Sequence, residues 1–261
     1  MAPNAKLRAR IAEMVYRSGE GHIPSAFSIV DVVAHLYRSV LRYDAANPDW
    51  SGRDFFVLSK GHGCAALYAV LNEIGIISDA EIDRYGTSGG ILGGHPDMTT
   101  VPGAEASTGS LGHGFPFSVG IALGLKIQER ENRVFTLVGD GECHEGTIWE
   151  AAAVAANRKL GNLIAIVDWN GSASQLMPVD DLPRKWSSFG WRVAEADGHD
   201  QVELSSVFDS DSLNFDSSKP LAVILHTTKG KGVSFVEGHG IWHHKIPNDL
   251  ELNRMLMEIL G

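Results

Sequence analysis

Six of the eleven histidines stand directly after a glycine: His22, His62, His95, His113, His199 and His239. Glycine supplies 29 of the 261 residues, so composition alone would give about one such pair. A glycine lets the backbone turn sharply and come close to a ligand, and the imidazole beside it can donate, accept or shuttle a proton near neutral pH. Taken singly, each pair also fits a turn with a solvated ring. Taken together, they point to a histidine-lined pocket, with His199 and His239 as its weakest members.

A second chemical signal is Gly139-Asp140-Gly141, directly after the apolar run Val134–Val138. In open parallel sheets ligands bind outside the carboxyl ends of the strands, and Asp140 falls at such an end. The flanking glycines carry no side chains, so a bulky anion could approach the backbone. A carboxylate there suits a hard cation such as Mg²⁺, which takes oxygen ligands and bridges to phosphate. The next apolar run ends in Asp168-Trp169-Asn170-Gly171. If the two strands are neighbours, Asn170 lands beside Asp140 as a second hard oxygen ligand. Alone, Gly-Asp-Gly also fits a plain strand-to-helix turn.

The elements that must position these residues follow from periodicity. Residues 4–18 and 28–43 have helical spacing, the second with Ser28 as N-cap. Further helices are expected at 65–74, 117–131, 148–160 and 249–260. Strands are expected at 55–58, 134–138, 163–167, 191–194 and 221–225, and the Gly/Ser/Thr/Pro-rich stretch 86–114 reads as loops. Apolar runs without alternation, interleaved with helices, predict a mainly parallel sheet in a three-layer α/β/α domain occupying residues 1–261. The formal net charge of −10 argues against nucleic acid and anionic membrane as partners. Met1–Lys6 lacks the apolar core of a signal peptide, and no apolar run approaches a membrane span. Cys64 and Cys143 form no CxxC pair, which fits a reducing cytoplasm.

The ordered blocks resemble the transketolase family. Gly139-Asp-Gly-Glu-Cys-His-Glu-Gly146, continuing through Trp149-Glu-Ala-Ala152 to Asn170, is similar to its thiamine diphosphate signature. Ser18–His22 with Ser28–Asp31, Leu58–His62, Gly93–Pro96, Ser107–Gly114, Thr227–Gly232 and Trp242-His243 match other blocks in order. The resemblance covers nearly the whole chain and implies thiamine diphosphate and Mg²⁺ as cofactors, with Ca²⁺ or Mn²⁺ as substitutes. It implies Asp140, Asn170 and the Ser172 backbone carbonyl as metal ligands. Gly141 would let the diphosphate approach, and Gly109, Ser110 and Leu111 would contact the cofactor. His62, Lys229 and His243 would lie near the diphosphate or thiazolium, while His22 and His95 would hold the sugar. Glu145 would join a carboxylate network between sites; as a helix N-terminal acid it would also suit the helix dipole. Lys229 reads equally well as a solvated loop charge.

The implied reaction moves a two-carbon ketol unit from a ketose, a sugar phosphate or similar anionic sugar, to an aldose. The cofactor supplies the carbanion, and the protein supplies orientation and proton transfer. The glutamate that activates the aminopyrimidine lies in a second domain of the family. With the sequence ending at Gly261, the resemblance implies a separate pyrimidine-binding chain and an α2β2 assembly. Ile23–Ala26, Cys143-His144, His113 and Trp169 depart from the family pattern around the pocket, which suits a non-standard sugar. Three alternatives stay open: an enzyme of the deoxyxylulose-phosphate-synthase type, a non-catalytic cofactor-binding regulatory subunit, and a zinc hydrolase built on His239-Gly-Ile-Trp-His-His244.

Overall fold

Strands that are apolar at every position need cover on both faces, and the chain supplies it. The computed structural model describes residues 4–175, 177–214, 218–238 and 240–261. Five strands, Phe55–Leu58 (β1), Val134–Gly139 (β2), Leu163–Trp169 (β3), Arg192–Asp197 (β4) and Leu221–His226 (β5), form one sheet in the order β1-β2-β3-β5-β4. Every pairing is parallel. The strand period of two sorts the side chains into two cores. Phe135, Leu137, Ile164, Ile166 and Val223 pack with helices Ala5–Ser18, Val30–His35, Cys64–Glu73 and Asp249–Leu260. Val134, Val138, Ala165, Val167 and Ile224 pack on the opposite face with helices Gly114–Ile127, Gly146–Asn157 and Leu182–Ser188. The α/β/α reading therefore holds.

The helix over 249–260 stands as expected, begun by a capping box between Asn248 and Glu251. The expected helix over 28–43 does not run through. The chain instead makes Ile23–Phe27, then Val30–His35, then a π-helical turn Leu36–Val40. Ser28 is not an N-cap but stands at the C-cap of Ile23–Phe27; its hydroxyl donates to Asp168 Oδ2 at 2.8 Å, with Ser25 O 3.1 Å away. A tertiary bond thus takes the group that local spacing assigns to capping. The helix expected at 117–131 spans Gly114–Ile127. It begins early because Phe115 N donates to Ser59 Oγ at 2.9 Å, and Glu129, at φ 55°, turns the chain out beyond its end. No helix among the described residues is long and apolar enough to cross a membrane.

The opposite end of the sheet is pinned by Asp54, whose side chain is fully buried. It accepts from Arg133 N at 2.8 Å and Arg42 N at 3.0 Å, and pairs with both guanidinium groups at 2.7 and 2.9 Å. This fixes the starts of β1 and β2, and with them the register that brings the far strand ends together. Burial raises the Asp54 pKa, but the two arginines outweigh it and hold the carboxyl below its usual value. Its contribution to stability is therefore present above the unfolded carboxylate pKa of 3.8 and lost as pH falls through the depressed folded value. Because both arginines reach solvent, Asp54→Ala should cost about 3 kcal/mol at neutral pH. Urea unfolding at neutral pH and again in acid checks this: the gap to wild type should shrink in acid, and an unchanged gap would refute the pin.

Candidate cofactor and catalytic site

The register pairs Gly139 with Asp168, and Asp140 N donates to Asp168 O at 3.1 Å. Asp140 and Asn170 therefore leave the carboxyl ends of adjacent strands side by side, as the spacing predicts. Asp140 Oδ1 accepts from Gly141 N at 2.7 Å, and Oδ2 has a long contact of 3.4 Å from Ala173 N. Asn170 Nδ2 donates to Asp168 Oδ2 at 2.9 Å, and its Oδ1 accepts from Ser172 N at 2.9 Å. Above Gly141 the space is open: a Cβ there would meet nothing nearer than the Ala173 methyl at 3.9 Å. A cleft of about 470 Å³ occupies this position, lined by Lys60, His62, Leu111, Asp140, Asn170, Ser172, Lys229 and His243 among others.

Lys229 is buried, not a solvated loop charge. Its ammonium donates to Ser172 Oγ at 2.5 Å and to His243 Nδ1 at 2.8 Å, both neutral groups. Burial, then the charge of Lys60, lowers its pKa to about 8, against the opposing pull of Asp140 and Asp168. Asp140 shows the converse. Burial, then the neighbouring Asp168 charge, raises its pKa. A cation beside Asp140 and an anion beside Lys229 would relieve both. The donor set and the open glycine floor thus fit a divalent metal and a diphosphate.

Four imidazoles cluster here, two of which, His62 and His243, line the cleft. His22 lies 5.4 Å from His62, 5.6 Å from His243 and 4.6 Å from His244, measured between ring centroids. Burial, aided by His244, His243, His95 and Lys229, takes the His22 pKa down to about 4. Burial and Lys60 take His62 down to about 2. Burial also lowers His243, helped by Lys229. Among the described residues the buried His22 Nδ1 atom has no hydrogen-bond partner, a polar group left open to a ligand. His95 is exposed and packs on Gly109, where a Cβ would stand 3.0 Å from its ring.

The remaining expected residues divide. Leu111 lines the cleft, while Ser110 and His113 are exposed, His113 Nδ1 meeting Leu111 O at 3.0 Å. Glu145 occupies the N-cap position of Gly146–Asn157, exposed and without a side-chain capping bond. The glutamate inside the cleft is instead Glu142, which accepts from Ser59 Oγ at 2.5 Å, Gly112 N at 2.9 Å and Gly139 N at 3.2 Å. His199 lies under a neighbouring loop, outside this cleft, and His239 lies outside the described residues. Trp169 faces away, its ring 5.1 Å from His226, so it does not surround the pocket. Nor does every histidine-preceding glycine approach a ligand. At Gly61 the close neighbour is another segment of the chain, with Thr108 Oγ1 2.7 Å from where a Cβ would stand.

Sequence reasoning passed over Lys60 and Asp168. Lys60 sits inside the block Leu58–His62, and its ammonium pairs with Asp168 Oδ2 with both side chains buried. Ser28, Asn170 and Thr227 also donate to Asp168. The available signal was the strand-terminal position of Asp168, an acid at the end of an apolar run. Among the described residues no three His, Cys, Asp or Glu side chains gather to hold a metal ion. His243 and His244 belong to the histidine cluster of the cleft, which gives the zinc hydrolase reading no support.

Comparison with known proteins accords with this geometry. Residues 4–254 match the family described as transketolase, thiamine diphosphate binding domain. An apulose-4-phosphate transketolase subunit from Phocaeicola vulgatus is 39% identical over 97% of this chain and 91% of its own length. The 6-deoxy-6-sulfo-D-fructose transketolase subunit SqwG of a Clostridium species is 40% identical over 89% of this chain and 86% of its own. A Pichia stipitis transketolase solved with sedoheptulose-7-phosphate superposes with a TM-score of 0.90 at 27% identity, covering 98% of this chain. The chain spans 40% of the length of that solved protein. It belongs to the transketolase family, in which it corresponds to the thiamine diphosphate binding domain.

Proposed function

We propose that this chain is the diphosphate-binding, N-terminal subunit of a two-chain transketolase that moves a two-carbon ketol unit from an anionic ketose to an aldose. The observation that carries this reading is the side-by-side placement of Asp140 and Asn170 at adjacent strand ends, across the cleft from a buried Lys229 whose bonds among the described residues go to the neutral Ser172 and His243. Asp140, Asn170 and the Ser172 carbonyl would hold Mg²⁺, with Ca²⁺ or Mn²⁺ able to substitute, and Lys229 and His62 would face the diphosphate. Gly109, Ser110 and Leu111 would flank the thiazolium. When bound, thiamine diphosphate supplies the nucleophilic carbon that accepts and releases the ketol unit.

The chain's own groups then handle protons and orientation. His22, His62 and His243 are driven toward the neutral form, so each can accept a proton at one ring nitrogen or donate one from the other. His22, with its unpartnered Nδ1, and His95 would hold the sugar's hydroxyl and carbonyl oxygens. The exposed Glu145 would take part in contact across an assembly interface. The two relatives are named for a phosphorylated and a sulfonated ketose, which supports an anionic donor. Their designation as subunits supports a pyrimidine-binding partner chain, and an α2β2 assembly is the simplest closed form. Two free, buried cysteines support a reducing compartment, the cytoplasm.

Calorimetric titration of thiamine diphosphate with Mg²⁺ into the chain, with and without its partner subunit, tests the core of this reading. Wild type should bind in the presence of the partner, and Asp140→Ala should lose at least about tenfold in affinity. No binding to the partnered wild type would remove the proposal. Proton occupancy gives a second test. With pKa values of about 4 and about 2, His22 and His62 should stay neutral at pH 5.5, where an ordinary histidine of pKa 6.5 is mostly charged. Because the folded values lie below the unfolded one, these rings also lower stability as pH falls from 6.5 toward 4. Nitrogen chemical shifts of ¹⁵N-labelled histidine measure this directly, and protonated shifts for both rings at pH 5.5 would contradict it.

A further inference from the structure

Lys229 is delivered to the cleft by the loop Thr227–Gly232, and that loop is gripped from below on both sides of the lysine. Thr228 N donates to His199 Nε2 at 2.9 Å, and Arg8 Nε donates to Lys231 O at 2.8 Å. The grip continues inward. His199 Nδ1 lies 2.7 Å from Asp31 Oδ2, and Arg8 holds both Asp31 oxygens at 2.6 and 3.0 Å. Asn4 Nδ2 donates to Asp31 Oδ1 at 2.7 Å. The His199, Asp31 and Arg8 side chains are only 9%, 4% and 5% exposed.

The bonding pattern dictates the state of the ring. Asp31 can only accept, so Nδ1 carries the hydrogen; Thr228 N can only donate, so Nε2 carries the lone pair. Burial acts to raise the Asp31 pKa, but bonds from His199, Arg8 and Asn4 together with the Arg8 charge outweigh it, to about 2. The carboxylate is thereby a permanent acceptor that orients the imidazole. Gly232, at φ 97°, brings the backbone against Arg8, whose Cδ would stand 3.3 Å from an added Cβ.

We infer that His199, oriented by Asp31 and Arg8, is a positioning residue that sets the backbone of the Thr227–Gly232 loop and thereby the place of the Lys229 ammonium. A lysine side chain has many rotamers, and it reaches one point reliably only if its backbone is fixed. His199 does not line the cleft; it acts through the loop. This inference rests on the role proposed above for Lys229 at the diphosphate.

Two substitutions separate the two halves of the imidazole. His199→Asn keeps a donor near the Nδ1 position for Asp31 and removes the acceptor of Thr228 N–H. His199→Gln places an acceptor near the Nε2 position and gives up the bond to Asp31. Each would be studied in the chain assembled with its partner subunit. Amide hydrogen exchange would be read across residues 226–233, and affinity measured for thiamine diphosphate with Mg²⁺. In His199→Asn that segment should exchange about tenfold faster and affinity should fall about tenfold. His199→Gln should remain nearer to wild type in both. Wild-type exchange and affinity in His199→Asn, or equal impairment in both variants, would overturn the positioning role. Lys229→Met is the control for the underlying reading. Unchanged affinity there would remove the diphosphate role of Lys229 itself, whereas lost affinity there beside a wild-type His199→Asn would overturn the clamp alone.

Discussion

The Asp168 carboxylate is the constraint on which the site depends. It stands one residue before the end of β3 with almost no exposure and gathers donors from four other places in the chain. Lys60 follows β1, Thr227 follows β5, Ser28 links two N-terminal helices, and Asn170 lies two residues downstream. A buried charge is tolerated only when paired and fully hydrogen-bonded, and Asp168 meets that condition only if all these segments arrive together. The carboxylate therefore converts a general requirement of burial into a specific arrangement of strand ends. It also orients the Asn170 amide, since accepting from Nδ2 leaves Oδ1 for Ser172 N.

Around that fixed pair the cleft is charged but incompletely balanced. Asp140 and Glu142 bring negative charge, with Lys60 already engaged by Asp168 and Lys229 held by neutral partners. The opposite pKa displacements of Asp140 and Lys229 express the same fact from two sides. Each is a charge taken from water without a full counter-charge. A metal ion and a diphosphate satisfy both at once, which is why the two belong together in the proposed reading. Binding either alone would leave the other side of the cleft uncompensated.

Much of this was legible in the sequence, and the reasons for the remainder are physical. Strands announced themselves because burial on both faces demands continuous apolar runs, and β2 and β3 show it most fully. The juxtaposition of Asp140 with Asn170 followed from strand adjacency. What periodicity could not reveal was competition for polar groups. Ser28 has the composition and position of an N-cap, yet Asp168, 140 residues away, takes its hydroxyl. Lys60 looks like one more charge in a loop until the fold supplies its buried partner. Glu142 and Glu145 are three residues apart in one motif, and only the path of the turn decides which enters the cleft and which faces solvent.

The glycine-histidine pairs illustrate the same limit and also what lies behind it. His22 and His62 come together from two loops, but His199 leaves the end of the edge strand β4 and goes elsewhere. β4 is the least buried strand and contributes no group to the cleft. Its parallel pairing with β5 nevertheless sets Asp197 opposite His226, so the residues just beyond both ends lie together. That brings His199 beneath Thr228. An edge strand that looks like mere cover for the sheet thus delivers the imidazole that grips the lysine loop. The geometry of the charged cleft is in this way set by pairing on the far side of the sheet as well as by the motifs at its centre.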